Sequence, residues 1–206
     1  MLPVMLPVAL NLENRAVLII GGGAVAARKE AAFGECGARV TVVSPELSAE
    51  FSAVQHRAKR YESADLEGFF LVCACTNDRA VNAQIAADAR AKNLPCNLAD
   101  DPKNSDFHTV ATVRRGEITV GVSTHGVSPV LARFVRQKIE EALPPELETL
   151  MKMASNDEIP REMRGEFWRQ VLQSDVLQLL RDGKHDEAET AMLRFLRGKA
   201  PNHPTT

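Results

Sequence analysis

The sequence predicts an α/β fold: a parallel sheet with its helices, then a small α+β segment, then an all-helical C-terminal region. Three observations carry this. The stretch Ala16 to Ala27, AVLIIGGGAVAA, runs from apolar residues through three glycines into the alanine-rich AVAARKEAAF, which reads strand, tight turn, helix. Phe69 to Thr76, FFLVCACT, is a continuous apolar run of the kind buried on both faces of a parallel sheet. After Pro144-Pro145 only helical spacing remains.

Taken in order, the first strand and helix are followed by a second strand, Ala38 to Val43. The polar patch Gln55 to Glu62 has room for a short third strand, and FFLVCACT supplies the next. A helix from about Arg79 to Lys92 carries Val81, Ile85, Ala86 and Ala89 at helical spacing, and Pro95 to Ala99 is the strand after it. Together with the glycines, this alternation describes a Rossmann-type sheet. Thr109 to Arg114 and Glu117 to Ser123 then flank Arg115-Gly116 with hairpin spacing. Ser128-Pro129 opens a helix with an N-cap serine and a first-turn proline, and Leu131, Phe134, Val135, Ile139 and Leu143 form its apolar stripe. Helices are expected at 146 to 154, 161 to 182 and 184 to 197, with Leu172, Val176, Leu179, Leu180, Ala188, Met192, Phe195 and Leu196 as core positions. The end, GKAPNHPTT, is expected to be disordered.

A net charge of −2 over 206 residues, with 25% charged, argues against a nucleic-acid surface. The opening MLPVMLPVALNL lacks a basic n-region and is too short and too proline-rich for a signal peptide or membrane span; Met5 is a second candidate start. Cys36, Cys73, Cys75 and Cys96 show no zinc spacing and read as reduced thiols of a cytoplasmic protein.

Gly21, Gly22 and Gly23 are the candidate phosphate turn, with Gly21, Gly23 and Ala26 in GxGxxG/A spacing. Glycine lets a phosphate approach the backbone, and the helix behind it offers unpaired N–H groups. Where an acidic residue usually holds the ribose, this chain has Ser44, with Glu46 close by. No arginine directly follows the second strand, so NAD is expected rather than NADP. Thr76 and Asn77 end the FFLVCACT strand at the carboxyl edge, where a doubly wound sheet places its ligand. Asp100 and Asp101 reach the same edge from the next strand, where a carboxylate serves as general base. An aspartate before proline is also a common turn residue, and spacing alone does not separate these readings. His125, in a glycine-containing loop ahead of a helix, is placed to donate a proton or touch an anion, or is simply solvated. Arg28, Lys29, Arg114, Arg115, Arg133 and Arg136 form a solvated face or, around a crevice, suit a polycarboxylate substrate.

The ordered set VLIIGGGAVAARK, CACTND, CNLADDPKNSDF, the hairpin and STHGVSPVLARFVR resembles the precorrin-2 dehydrogenase/sirohydrochlorin ferrochelatase family, including the N-terminal half of siroheme synthases. The resemblance implies NAD-dependent oxidation of precorrin-2 to sirohydrochlorin by a homodimer, whose dimerisation segment is the hairpin and following helix. It places the catalytic aspartate on Asp100 and dinucleotide contacts on Ala24, Val25, Glu46 and Leu47, beside the glycines. Thr124 stands where relatives commonly have serine, and Ser128 and Arg133 belong to the SPVLAR motif; these three are the implied substrate contacts. Many relatives also insert Fe²⁺ into sirohydrochlorin, so Fe²⁺ or Co²⁺ is an additional substrate under this resemblance, with no tightly held metal.

The implied divisions are a dinucleotide domain over 1–108, a dimerisation segment over 109–145, a helical domain over 146–198 and a tail over 199–206. The alternatives are a chelatase-only relative and a non-catalytic NAD-sensing module. The sensor predicts an acidic residue at position 44 and an attached DNA-binding or channel-coupling segment, and neither is visible.

Overall fold

The computed structural model describes residues 5–51, 54–154 and 159–196. It divides into two compact units, one running to Thr109 and including His125–Val127, the other comprising Val110–Thr124 and the chain from Ser128 onward.

The first unit is a five-stranded parallel sheet in the order β3-β2-β1-β4-β5, built from β1 (Ala16–Ile20), β2 (Arg39–Val43), β3 (Gln55–Arg57), β4 (Leu71–Ala74) and β5 (Cys96–Leu98). Side chains alternate across a strand, so the apolar runs feed two cores. Val17, Ile19, Leu71 and Cys73 face the layer containing Ala26 and Phe33 of α1 (Ala24–Gly34). Leu18, Ile20, Val72 and Ala74 face the layer containing Ile85 and Ala89 of α2 (Arg79–Ala91). A strand coated on both sides must be apolar at every position, which is why β1 and β4 read as unbroken runs. The outer edge of β5 is closed by the returning chain: Cys96 N donates to Asp106 Oδ2 (2.9 Å) and Leu98 N to Ser105 Oγ (2.8 Å).

The second unit begins with an antiparallel hairpin, β6 (Ala111–Arg115) and β7 (Ile118–Val122). Arg115 pairs with Ile118, so the two-residue connection is Gly116-Glu117, one residue later than the spacing suggests. Gly116, at φ +55°, supplies the left-handed conformation that opens such a turn. α3 (Pro129–Ala142) starts as expected, with Ser128 Oγ accepting from Leu131 N at 3.1 Å. Its stripe does not become a core within the chain: Leu131 and Phe134 are 51% and 56% exposed, Val135, Ile139 and Leu143 are half-buried, and only Ala132 is buried.

α4 (Glu146–Met153), α5 (Arg164–Gln173), α6 (Val176–Arg181) and α7 (His185–Leu196) enclose a core of Leu150, Phe167, Val171, Val176, Leu180, Ala188, Met192 and Phe195. The single helix expected over 161–182 is two helices. Ser174, in extended conformation, ends α5, its hydroxyl donating to Val171 O (2.7 Å) and accepting from Val176 N (3.3 Å). The break turns Val171 and Val176 inward together, and Leu172, expected in the core, is 57% exposed. Residues 199–206, expected as a disordered tail, lie outside the described residues.

Candidate functional site

At the carboxyl edge of the sheet, where α1 and α2 pack on opposite faces behind β1 and β4, the chain opens a cavity of about 460 Å³. Its wall includes Gly21, Gly22, Gly23, Ser44, Thr76 and Asn77, so six sequence-nominated residues meet in one place. The three glycines have different physical reasons. A Cβ on Gly21 would lie 2.4 Å from Cys75 O and one on Gly22 would lie 1.8 Å from Glu46 O, so these two are demanded by the protein's own packing. A Cβ on Gly23 would meet nothing within 4 Å. Gly23 is also the N-cap of α1, whose first turn has no side-chain cap. Open space in front of uncapped helix N–H groups is a cradle that fits a dinucleotide's pyrophosphate.

Ala24, Val25, Glu46 and Leu47 are not in the cavity wall. Ala24 and Val25 form the exposed start of α1; Glu46 is exposed; Leu47 packs on the α1-side core. Ser44 is buried, and its hydroxyl donates to Glu46 O at 2.7 Å.

Asp100 stands just past β5, in the wall of a second cavity of about 410 Å³ that also includes Arg79, Asn82, Leu98, Asp101 and Asn104. Helix α2 separates the two: Asp78, Val81 and Gln84 border the glycine cavity, while Arg79, Asn82 and Ala83 border the other. Asp78 Oδ1 caps α2, accepting from Ala80 N and Val81 N.

Sequence reasoning missed the residue that joins the cavities. Asn82 is 2% exposed and its amide is fully engaged. Its Oδ1 accepts from Thr76 N (3.2 Å) and Thr76 Oγ1 (2.7 Å), and its Nδ2 donates to Thr76 O (3.0 Å) and Asp100 Oδ1 (3.0 Å). A buried amide with both ends satisfied holds one rotamer, so Thr76 and Asp100 are fixed relative to each other. Asp100 Oδ2 remains available, 3.8 Å from Nε of the exposed Arg79. An asparagine on the buried side of a helix was the available signal; its partners are set by packing rather than spacing.

Asp101 does different work. Asn104 Nδ2 donates to its Oδ2 at 2.6 Å, and that bond leads the causes holding its carboxyl below the usual range. It is a turn residue. His125, at φ +52°, sits at a loop tip whose Gly126 rests against the Pro102 ring. Thr124 and Ser128 bond each other, Thr124 Oγ1 donating to Ser128 O (3.0 Å) and accepting from Ser128 N (3.3 Å). Arg133 is exposed on α3.

The thiols of Cys73, Cys75 and Cys96 are buried. Burial, offset in part by Lys29, pushes Cys73 up to about 12 and Cys75 up to about 11; burial likewise pushes Cys96 up to about 12. Among the described residues no group of three or more His, Cys, Asp or Glu is arranged to hold a metal ion, and no helix is long and apolar enough to cross a membrane.

Three family models match in succession: putative NAD(P)-binding over residues 8–111, sirohaem biosynthesis protein central over 115–142, and sirohaem synthase dimerisation region over 160–196. The chain is 37% identical over 201 residues to siroheme synthase of Methylococcus capsulatus, covering 91% of this chain and 42% of that protein. It is 36% identical over 207 residues to siroheme synthase of Ectopseudomonas mendocina, covering 95% and 45%. The chain thus spans less than half the length of these curated relatives. Among solved structures, SirC, a precorrin-2 dehydrogenase, shares the fold with a TM-score of 0.74 at 22% identity, over 94% of this chain and 100% of that one.

Proposed function

The chain belongs to the family that forms the N-terminal half of siroheme synthases, and we propose that it is an NAD⁺-dependent dehydrogenase oxidising precorrin-2 to sirohydrochlorin in tetrapyrrole biosynthesis. One observation carries the reading: the buried amide of Asn82 ties Thr76, in the wall of the glycine cavity, to the Asp100 carboxylate at the same sheet edge.

In this reading Gly21–Gly23 and the start of α1 bind the pyrophosphate, Ser44 lies at the ribose end, and Thr76 and Asn77 border the reacting end. The oxidation removes two hydrogens from the macrocycle, one as hydride and one as proton. NAD⁺, when bound, accepts the hydride. Asp100 takes the proton at Oδ2, the oxygen that Asn82 does not occupy. Asn82 holds the carboxylate in place by donating to Oδ1, and Arg79 and Arg90 on the same wall complement carboxylates of the substrate rim. His125 is the second proton carrier, and Thr124, Ser128 and Arg133 contact substrate; these roles rest on the motifs that contain them.

Assembly as a homodimer is part of the proposal, supported by the exposed Val130, Leu131 and Phe134 on α3, an apolar row that water does not favour. So is a cytoplasmic setting, supported by the three buried, unpaired strand thiols. Insertion of Fe²⁺ or Co²⁺ into sirohydrochlorin is a separable activity under the same reading, assayed by adding metal to the product.

The test is anaerobic incubation of the purified chain with precorrin-2 and NAD⁺, following NADH and the tetrapyrrole spectrum together. NADH appearing one-for-one with sirohydrochlorin is the expected result. Dinucleotide binding with no turnover contradicts the dehydrogenase and leaves the sensor or the chelatase.

A further inference from the structure

We propose that the dinucleotide site also takes the 2′-phosphorylated form, binding NADP⁺ at least as tightly as NAD⁺, with Arg60 as the residue that holds the extra phosphate. This rests on the glycine cavity being a dinucleotide site, and it concerns the ribose end of that cavity.

Discrimination against a 2′-phosphate ordinarily comes from an acidic residue at the end of the second strand, which binds the ribose hydroxyls and repels the phosphate. Here that residue is Ser44, uncharged and donating its hydroxyl proton to Glu46 O at 2.7 Å. The nearby Glu46 carboxylate belongs to an exposed side chain outside the cavity wall. Among the described wall residues the carboxylate is Asp78, at the opposite β4 end, where it caps α2. Among the described residues of the cavity wall, no carboxylate stands beside Ser44.

A cation comes from an element that is remote in sequence. β3 runs parallel to β2, Ser44 N donates to Arg57 O (3.2 Å), and the His56 ring nitrogen lies 2.8 Å from Ser44 O. The chain leaving β3 therefore emerges beside Ser44, and Lys59, Arg60 and Tyr61 join Ser44 and Pro45 in the cavity wall. Lys59 is committed elsewhere: its ammonium lies 2.9 Å from Glu62 Oε2 and 3.1 Å from Asp65 Oδ1. Arg57 pairs with Asp65 at 3.5 Å. Arg60 is exposed and pairs with no carboxylate among the described residues. A planar guanidinium with parallel N–H donors is the group best shaped to take a phosphate, and an unpaired one gives up no existing ion pair to do so.

The experiment is calorimetric titration of the full chain with NAD⁺ and, separately, NADP⁺, in the wild type, Arg60→Ala and Arg60→Lys. In the wild type NADP⁺ binds at least as tightly as NAD⁺, and its affinity falls more steeply with salt. Arg60→Ala weakens NADP⁺ by about tenfold, the scale of one charge-assisted contact, and leaves NAD⁺ within about twofold. Arg60→Lys falls between. Wild-type binding of NADP⁺ tenfold weaker than NAD⁺ overturns the proposal; so does an Arg60→Ala variant that leaves NADP⁺ unchanged or weakens both equally. Binding of neither dinucleotide overturns the assignment of the cavity itself, and this inference with it.

Discussion

The two units bury apolar surface in opposite ways. In the first, each central strand of the parallel sheet is coated on both faces, and alternate residues of β1 and β4 fill separate cores. In the second, α4 to α7 close a core of their own, while the hairpin-bound helix α3 leaves Val130, Leu131 and Phe134 in water. A doubly covered sheet is complete by itself and can hold side chains rigidly at its edge. A helix with an uncovered apolar face is complete only with something against it.

If the first unit carries the chemistry, its edge should be the most sensitive place in the molecule. Asp100→Asn is expected to lower turnover by a factor on the order of 10²–10⁴, the usual worth of a general base, with NAD⁺ affinity unchanged by calorimetry. The glycines should then separate. Gly23→Ala is expected to keep the wild-type melting temperature and lose dinucleotide binding, because its new Cβ meets only the space the pyrophosphate needs. Gly22→Ala is expected to lose both, with a Cβ driven against Glu46 O. Asn82→Leu, which strands the bonds to Thr76 and Asp100, should cost ~1–3 kcal/mol in denaturant unfolding and shift the pH dependence of turnover. A stability loss with an unchanged pH profile would make Asn82 structural only.

The second unit gives a different kind of sensitivity. Phe134→Asp is expected to halve the particle mass in analytical ultracentrifugation without unfolding α3, since the side chain is 56% exposed within the chain. An unchanged mass would mean that α3 is not part of a dimer contact.

The smallest effect expected is on alkaline stability. The strand thiols stay protonated in the folded chain up to about 11 at Cys75 and about 12 at Cys73 and Cys96, whereas an unfolded thiol ionises at about 8.5. Between these limits the unfolded chain binds fewer protons than the folded one, so stability falls as pH rises from about 9. Melting temperatures measured across this window should fall less steeply in Cys75→Ala than in the wild type.

The first unit was legible because its rules are local. An unbroken apolar run states that both faces are covered, and glycines between a strand and a helix state the turn. Asn82 and Arg60 escaped because their roles are made by contacts across the fold. Asn82 gains meaning only when α2 lays it between Thr76 and Asp100, and Arg60 only when β3 pairs beside Ser44. The second unit was less legible for a further reason. Helical spacing marks apolar positions without saying which are covered, so Leu172 resembles a core residue in sequence although it is 57% exposed here. At the Ser174-Asp175 break a serine hydroxyl bonds the backbone of Val171 and Val176, a competition that periodicity does not register.

The measurement that tests the account most directly is single-turnover oxidation of precorrin-2 at saturating NAD⁺, run in parallel on the wild type and Asp100→Asn. The account predicts one NADH per sirohydrochlorin in the wild type, and a bound dinucleotide with almost no NADH in the variant. Equal rates in the two proteins would contradict it.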